Sequence, residues 1–486
     1  MDPKLAPLQL ILVGNYAPAR QESMLRFAAS LERGLPPEAV AVTLLQPKPW
    51  LGRWVRSKAL SKWAGYLDQF LFFPAALRRT LRRARQRARR SGGAVLMHIA
   101  DHSNAMFAVH ARRLGIPTVV TCHDLLAVRG ALGEATDCPA SRLGKRLQAW
   151  IVRGLQQATV IVCDSTATQE DAERLVPQPR GAITRILLGL NQPFRRLDPE
   201  ERDRRLAAHP LLKPFIGHAP YLLHVGSGLR RKNREGVLRV FAKMEAADWN
   251  GILVFAGEPL SQELRAQVSE FGLAGRVLTV TQPDDALLEA LYNGAHALLF
   301  PSRFEGFGWP PIEAQACGCP VVCSDAGPLP EVAGEGAILR APDDEAGMAA
   351  ALLELQDAAT REAWIAKGAA NIARFQTGRM VDDYLALYQE VAADRAKEIP
   401  ANPFAKGAQN GYILRLLRFI PCSQPPSDSW SSCSRGRSGV MRCNGFLATG
   451  SIAPPGSAGR GFFRASSSWR RTRRSATSRL ACISTR

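Results

Sequence analysis

No stretch of the chain approaches the roughly 18 to 20 consecutive apolar residues that a helix needs to cross a bilayer. The N-terminus runs from Met1-Asp-Pro-Lys4 into only a short apolar run, Leu8 to Val13. Neither a spanning anchor nor a cleavable leader is expected, which points to a cytoplasmic protein. Order is also missing among the ten cysteines. They form no C-x-x-C pair, and Cys317-Gly-Cys319 is too close and too isolated for a zinc site, so a reducing compartment is expected and a metal is not. Acids nearly vanish from the end of the chain: residues 401–486 hold 14 Lys and Arg against one acid, whereas residues 1–400 hold 49 against 42. Serine and arginine crowd that end without a helical or strand period, so it cannot bury enough apolar surface to offset chain entropy. It reads as a basic tail or as the product of an altered reading frame.

What is present is globular. The 486 residues are 46% hydrophobic and 22% charged, with a net charge of +20, enough for two or three domains. The densest pattern is Phe300-Pro-Ser-Arg-Phe-Glu-Gly-Phe-Gly-Trp-Pro-Pro-Ile-Glu-Ala-Gln-Ala-Cys-Gly-Cys-Pro-Val-Val-Cys-Ser324. Ala297 to Phe300 has the length of a buried strand. A glycine loop follows, and Pro310 and Pro311 can open a helix to about Ala316, because a first-turn proline gives up an N–H that had no partner. Gly318 stops it before the next strand, Pro320 to Cys323. A strand, a glycine loop and a helix N-terminus can receive phosphate, while Glu305 and Glu313 can accept hydrogen bonds from hydroxyls. On the spacing of the two acids alone, a tight connection with two solvated glutamates is the simpler reading.

The complete string, with Pro330-Glu331 after it, closely resembles the signature of the family 4 retaining glycosyltransferases. That resemblance covers residues 8 to about 395 and implies an α/β fold of two Rossmann-like doubly wound domains facing a central cleft, the GT-B fold. It implies that Glu305 contacts the donor sugar and Glu313 the ribose, as the two acids of an E-x7-E motif.

Earlier segments fit a parallel sheet. Leu8 to Val13 leads into Gly14-Asn15-Tyr16, either a plain loop or an acceptor contact through Asn15. Ala94 to His98 ends near Asp101-His102-Ser103-Asn104, and Ile116 to Cys122 ends in His123-Asp124; both clusters sit where α/β proteins bind ligands. The resemblance implies that His123 approaches the donor sugar, while Asp101, His102 and Asp124 are expected on the acceptor side. Ala158 to Cys163 enters a helix N-cap at Asp164-Ser165, and Ile183 to Leu188 reads as the last strand of this half. Residues Tyr221 to Val225 enter Gly226-Ser227-Gly228. Arg231 stands where a dinucleotide fingerprint needs its third glycine. Small residues followed by Arg231 and Lys232 suit a diphosphate better, and the resemblance carries Arg231 and Lys232 over as its binding pair.

From Trp50 to Arg90 aromatics interleave with arginine. The segment suits an anionic membrane surface, nucleic acid or a solvated basic helix. RNA-reading aromatic motifs and zinc spacings are absent, so nucleic acid is not an expected partner.

The domains expected are 1–190 on the acceptor side, a linker at 191–219, a nucleotide-sugar domain at 220–375, a returning helix at 376–398 and the tail at 399–486. The expected activity is a retaining transfer of a sugar from a UDP- or GDP-linked donor to a carbohydrate or lipid-linked hydroxyl. Lys232, Arg231, Glu305 and His123 would be catalytic, and Gly226, Ser227, Gly306, Phe307, Gly308 and Glu313 would bind the donor. No metal or other cofactor is expected, and a peripheral place at the inner membrane face is. The alternative is a non-catalytic module of the same fold that binds a nucleotide or scaffolds an assembly.

Overall fold

A computed structural model of the chain describes residues 7–19, 21–54, 58–177, 179–215 and 217–397. The tail expected at 399–486 lies outside the described residues.

Two six-stranded sheets, every pairing parallel, organise the rest. The first holds β1 (Leu8–Val13), β2 (Val40–Leu45), β3 (Val95–Ile99), β4 (Thr118–Cys122), β5 (Val160–Cys163) and β6 (Ala182–Arg185), in the order β2-β1-β3-β4-β5-β6. The second holds β7 (Tyr221–Gly226), β8 (Ile252–Gly257), β9 (Val277–Thr281), β10 (Ala297–Phe300), β11 (Val321–Ser324) and β12 (Ala337–Arg340), in the order β12-β11-β10-β7-β8-β9. Parallel strands covered on both faces are apolar without alternation, which is why β4, β5, β10 and β11 are buried at every position.

Each sheet reverses its strand order once, between β1 and β3 and between β7 and β10. Connections on the two sides of such a reversal leave in opposite directions and open a crevice beyond the carboxyl ends of the strands. Asn15 and Asp101 follow β1 and β3; Arg231, Lys232 and Glu305 follow β7 and β10.

Four apolar clusters fill the faces of the sheets. One of them joins Phe27, Leu10 and Val162 of the first half to Phe307, Ile312 and Val332 of the second, and to Tyr384 and Tyr388 of the helix Thr377–Lys397. That last helix therefore lies on the first sheet, its two tyrosines fully buried.

Residues 191–219 are more than a linker. Pro199 opens the helix Pro199–Ala207 from a first-turn position, and Phe194, Leu197, Leu206 and Leu212 join the core of the second sheet. The strand expected over Ile183 to Leu188 pairs only as far as Arg185.

The arginine-rich segment is a continuous helical rod: Lys58–Leu67, a π-helical turn at Asp68–Phe72, then Phe73–Ser91. Phe73, Leu77, Leu81, Ala84 and Ala88 face the core, and the arginines fall on the remaining faces. Among the described residues no helix is long and apolar enough to cross a membrane.

Candidate active site

The site is built at the reversal of the second sheet. After β7 the chain makes a 3-10 turn, Arg230–Lys232, and Asn233 at φ 53° caps the helix Arg234–Glu245 by accepting from Gly236 N at 3.2 Å. The turn puts the two cations ahead of the helix and aims them at the loop after β10. Arg231 Nη1 lies 2.8 Å from Glu305 Oε2, and Lys232 Nζ lies 2.6 Å from Glu305 Oε1. The Arg231 guanidinium also donates to the Phe304 carbonyl at 2.8 Å. Lys232 and Glu305 are nearly enclosed, with side chains 12% and 6% exposed. Burial opposes the Glu305 charge, but the two cations outweigh it and hold the carboxyl below its usual range. Burial lowers the Lys232 ammonium, with Glu305 pulling the other way.

The loop then passes through Gly306, Phe307 and Gly308 into the helix Trp309–Ala316. Gly308 has φ 97°, which a side chain would strain. A Cβ on Gly306 would lie 2.1 Å from the His123 carbonyl oxygen and 2.8 Å from Asp124 Cβ, so only glycine lets the two halves of the cleft meet there. Phe307 is buried in the cluster that spans the halves.

Glu313, one turn into that helix, is buried and accepts from the Tyr292 hydroxyl at 2.8 Å. Burial raises its pKa. The two acids of the motif therefore have different surroundings: Glu305 is held by cations, Glu313 by a neutral hydroxyl. Gly226 ends β7 beside the Lys232 stem, and Ser227 follows it.

The first half supplies the facing wall. His123 Nδ1 lies 3.0 Å from Asp164 Oδ2 and Nε2 lies 2.9 Å from the Ala100 carbonyl. Burial works against its charge, but Asp164, Asp101 and the Ala100 carbonyl raise its pKa overall. With both ring nitrogens engaged, His123 meets Gly306 through its backbone, whereas the resemblance implied an imidazole directed at the donor sugar. Asp124 lies just ahead of the helix Leu126–Leu132 and accepts from Leu126 N at 3.0 Å. Asn15, Asp101 and His102 do come together. Asn15 Nδ2 donates to Asp101 Oδ2 at 2.5 Å, Ser103 N and Oγ donate to the same carboxylate, His102 Nδ1 lies 3.2 Å from it, and Asn104 donates to Asn15 at 2.9 Å.

Further contacts across the cleft escaped the sequence. Ser165 Oγ and Thr168 Oγ1 donate to the Gly306 carbonyl at 2.9 and 3.2 Å. Thr166 N donates to Glu331 at 2.7 Å, Arg185 pairs with the same carboxylate, and Arg26 reaches Asp285 at 2.8 Å. The Asp164-Ser165 N-cap was a visible signal, but nothing local names its partner 141 residues on.

Two family models match the chain: "Glycosyltransferase Family 4" over residues 26–192 and "Glycosyl transferases group 1" over residues 213–370. O-antigen chain mannosyltransferase B of Escherichia coli is 29% identical over 226 residues, 46% of this chain and 58% of that protein. D-inositol 3-phosphate glycosyltransferase of Acidothermus cellulolyticus is 28% identical over 304 residues, 59% of this chain and 65% of that protein. The matches thus span less than two thirds of these relatives' lengths. Among solved structures, Anabaena HepE in complex with UDP and glucose superposes with a TM-score of 0.59 over 79% of this chain and 99% of its own, at 16% identity, a likeness of fold.

Proposed function

Because the chain belongs to the family 4 glycosyltransferases and has the two-domain GT-B fold, we propose that it transfers a hexose from a UDP- or GDP-linked sugar to a hydroxyl acceptor with retention of configuration. One observation carries this reading: a carboxylate, Glu305, and two cations, Arg231 and Lys232, are joined beside a glycine loop and a helix N-terminus at the sheet's reversal. The donor diphosphate takes the cations, which leaves the Glu305 oxygens for hydroxyls of the donor sugar. Glu313 accepts from the ribose. Gly226 and Ser227 let the backbone approach the phosphates.

As the bond to the leaving diphosphate breaks, negative charge grows on it. Lys232, Arg231 and the N–H groups of Gly306 to Gly308 stabilise that charge in a water-poor site, where fixed donors count for more than in water. In this reading side-chain cations do the work of a metal. The acceptor hydroxyl attacks from the leaving-group face and passes its proton to a donor phosphate oxygen. Asn15, Asp101 and His102 orient the acceptor, and His123 with Asp164 braces the wall against Gly306. The HepE structure, which contains UDP, supports a nucleotide donor on this fold.

The test is twofold. Thermal stabilisation of the purified protein by a panel of nucleotides and nucleotide sugars identifies the donor, because a ligand that binds the native state raises the melting temperature. Turnover of the stabilising sugar in radiolabelled form then separates an enzyme from a binding module. Stabilisation without transfer to any lipid-linked or free glycan acceptor would leave only the module.

A further inference from the structure

The rod that carries the arginines has a face that the proposed reaction does not use. Trp63 is 63% exposed and Leu67 46%, four residues apart; the π-helical turn then carries the stripe to Leu71, 49% exposed, and Phe72. Trp50 and Leu51, also exposed, are fixed to the same turn because the buried Asp68 carboxylate accepts from Leu51 N at 2.9 Å and Gly52 N at 3.0 Å. A chain of ring contacts, Trp63 to Tyr66 to Phe70 to Trp150, extends the patch onto the helix Arg142–Leu155, where Leu143 and Trp150 are exposed. Scattered apolar residues at a surface need no explanation, but a contiguous group of this size marks an interaction site.

Its charge says what the site fits. Residues 46–91 contain 13 Lys and Arg and one acid, Asp68, which is fully buried. Residues 142–155 contain four Lys and Arg and no acid. Along the rod the exposed stripe passes from Trp63, Leu67 and Leu71 to Arg79, Arg82, Arg83 and Arg87. Tryptophan and leucine beside exposed arginine suit an interface where acyl chains meet anionic headgroups. A nucleic acid would leave the leucines without a partner.

The face is also tied to the acceptor side of the cleft. Tyr16, next in sequence to Asn15, donates its hydroxyl to Asp68 at 3.2 Å, and a Cβ on Gly65 would lie 3.2 Å from the Tyr16 ring. The loop that orders Asn15 against Asp101 thus packs on the rod.

We propose that this face docks on an anionic lipid bilayer and that the acceptor is a sugar carried on a lipid in that bilayer. The naming of the acceptor rests on the transferase reading; the docking does not.

The test uses the full chain and vesicles of phosphatidylcholine, alone or mixed with phosphatidylglycerol. The wild type is expected to float with the mixed vesicles. Combining Trp63→Ser, Leu67→Ser and Leu71→Ser is expected to lower the bound fraction by about tenfold or more, although the basic end of the chain is retained. Thermal stabilisation by the donor nucleotide should not change, which shows that the variant is folded. Combining Arg82→Gln, Arg83→Gln and Arg87→Gln should remove most of the gain from phosphatidylglycerol. Transfer to a vesicle-borne acceptor should fall with the apolar variant, and transfer to a free sugar acceptor should not. Wild-type protein that ignores anionic vesicles, or an apolar variant that binds them as well as the wild type, overturns the docking. An apolar variant that loses vesicle binding yet transfers equally well to both acceptors overturns the lipid-linked acceptor. If no nucleotide sugar binds but vesicle binding keeps this dependence, the transferase reading fails and the docking stands.

Discussion

Lys232 Nζ lies 2.6 Å from Oε1 of Glu305, and Arg231 holds the other oxygen of the same carboxylate at 2.8 Å. Glu305 thus pairs with both cations, and in the proposed reaction the donor diphosphate takes them over. A diphosphate carries more charge than one carboxylate, and its charge grows as the sugar leaves. Lys232 should therefore interact more strongly in the transition state than in the donor complex. Lys232→Ala is expected to lower kcat by about 100-fold or more while donor affinity falls by less. Steady-state kinetics with calorimetric donor binding checks this, and near wild-type turnover would remove Lys232 from the mechanism.

The two motif carboxylates should separate in binding. Glu313, buried and held by Tyr292, is assigned to the ribose, so Glu313→Gln should weaken the free nucleotide and the nucleotide sugar alike. Glu305→Gln should leave the free nucleotide nearly unchanged and weaken the sugar nucleotide and the rate. Equal loss of free-nucleotide affinity in both variants would show the assignment to be wrong.

The His123–Asp164 pair predicts a pH dependence. Two acceptors, Asp164 Oδ2 and the Ala100 carbonyl, face the two ring nitrogens, and Asp101 adds a further negative charge, so the His123 pKa rises. Burial pushes Asp164 up to about 6, which again keeps the shared proton on the pair. Above about pH 6.5, the ordinary histidine value, the native state holds a proton that the unfolded chain has released. The His123 contribution is complete below that pH and is lost as pH rises through the His123 pKa, with a slope of up to about 1.4 kcal/mol per pH unit, while the raised Asp164 acts below about pH 6. Asp164→Asn should remove that slope. Urea unfolding from pH 6 to pH 9 compares the two proteins, and parallel curves would show that His123 does not titrate this way.

Much of the fold was legible because both sheets are parallel and buried: β5 and β10 are unbroken apolar runs, β4 and β11 add only threonine or serine to theirs, and proline flanks β4, β10 and β11. The carbon skeleton of the site was legible as well, since Glu305, Gly306, Gly308 and Glu313 lie within one strand-loop-helix unit. What joins that unit to the rest was not. The Glu305 pairs span 73 and 74 residues, and the Ser165 and Thr168 contacts to Gly306 span 141 and 138. Such contacts are set by sheet order, which local patterns do not encode. The helix Pro199–Ala207 was missed because a proline that opens a helix resembles one that prevents it. The rod's arginines were visible, but the face on which Trp63 and Leu71 emerge depends on the π-helical turn.

The returning helix gives the last prediction. Tyr388 OH lies 2.7 Å from His98 Nδ1, His98 Nε2 lies 2.8 Å from Thr121 Oγ1, and that hydroxyl lies 2.8 Å from Tyr384 OH. Burial lowers the His98 pKa to about 3, so the ring is neutral. A neutral ring has one N–H to give and one nitrogen to accept, so the four groups need one consistent direction of donation. Removing the Tyr388 hydroxyl leaves a buried ring nitrogen without its partner. Tyr388→Phe should therefore cost about 1–3 kcal/mol of stability and leave kcat unchanged, since no group of the site is touched. Tyr384→Phe should cost less than this, because Thr121 keeps His98 as a partner. If the four groups act as one network, the double variant should lose less than the two single losses added together. Denaturant unfolding of the three variants measures this. Strict additivity would mean that each tyrosine docks the helix independently.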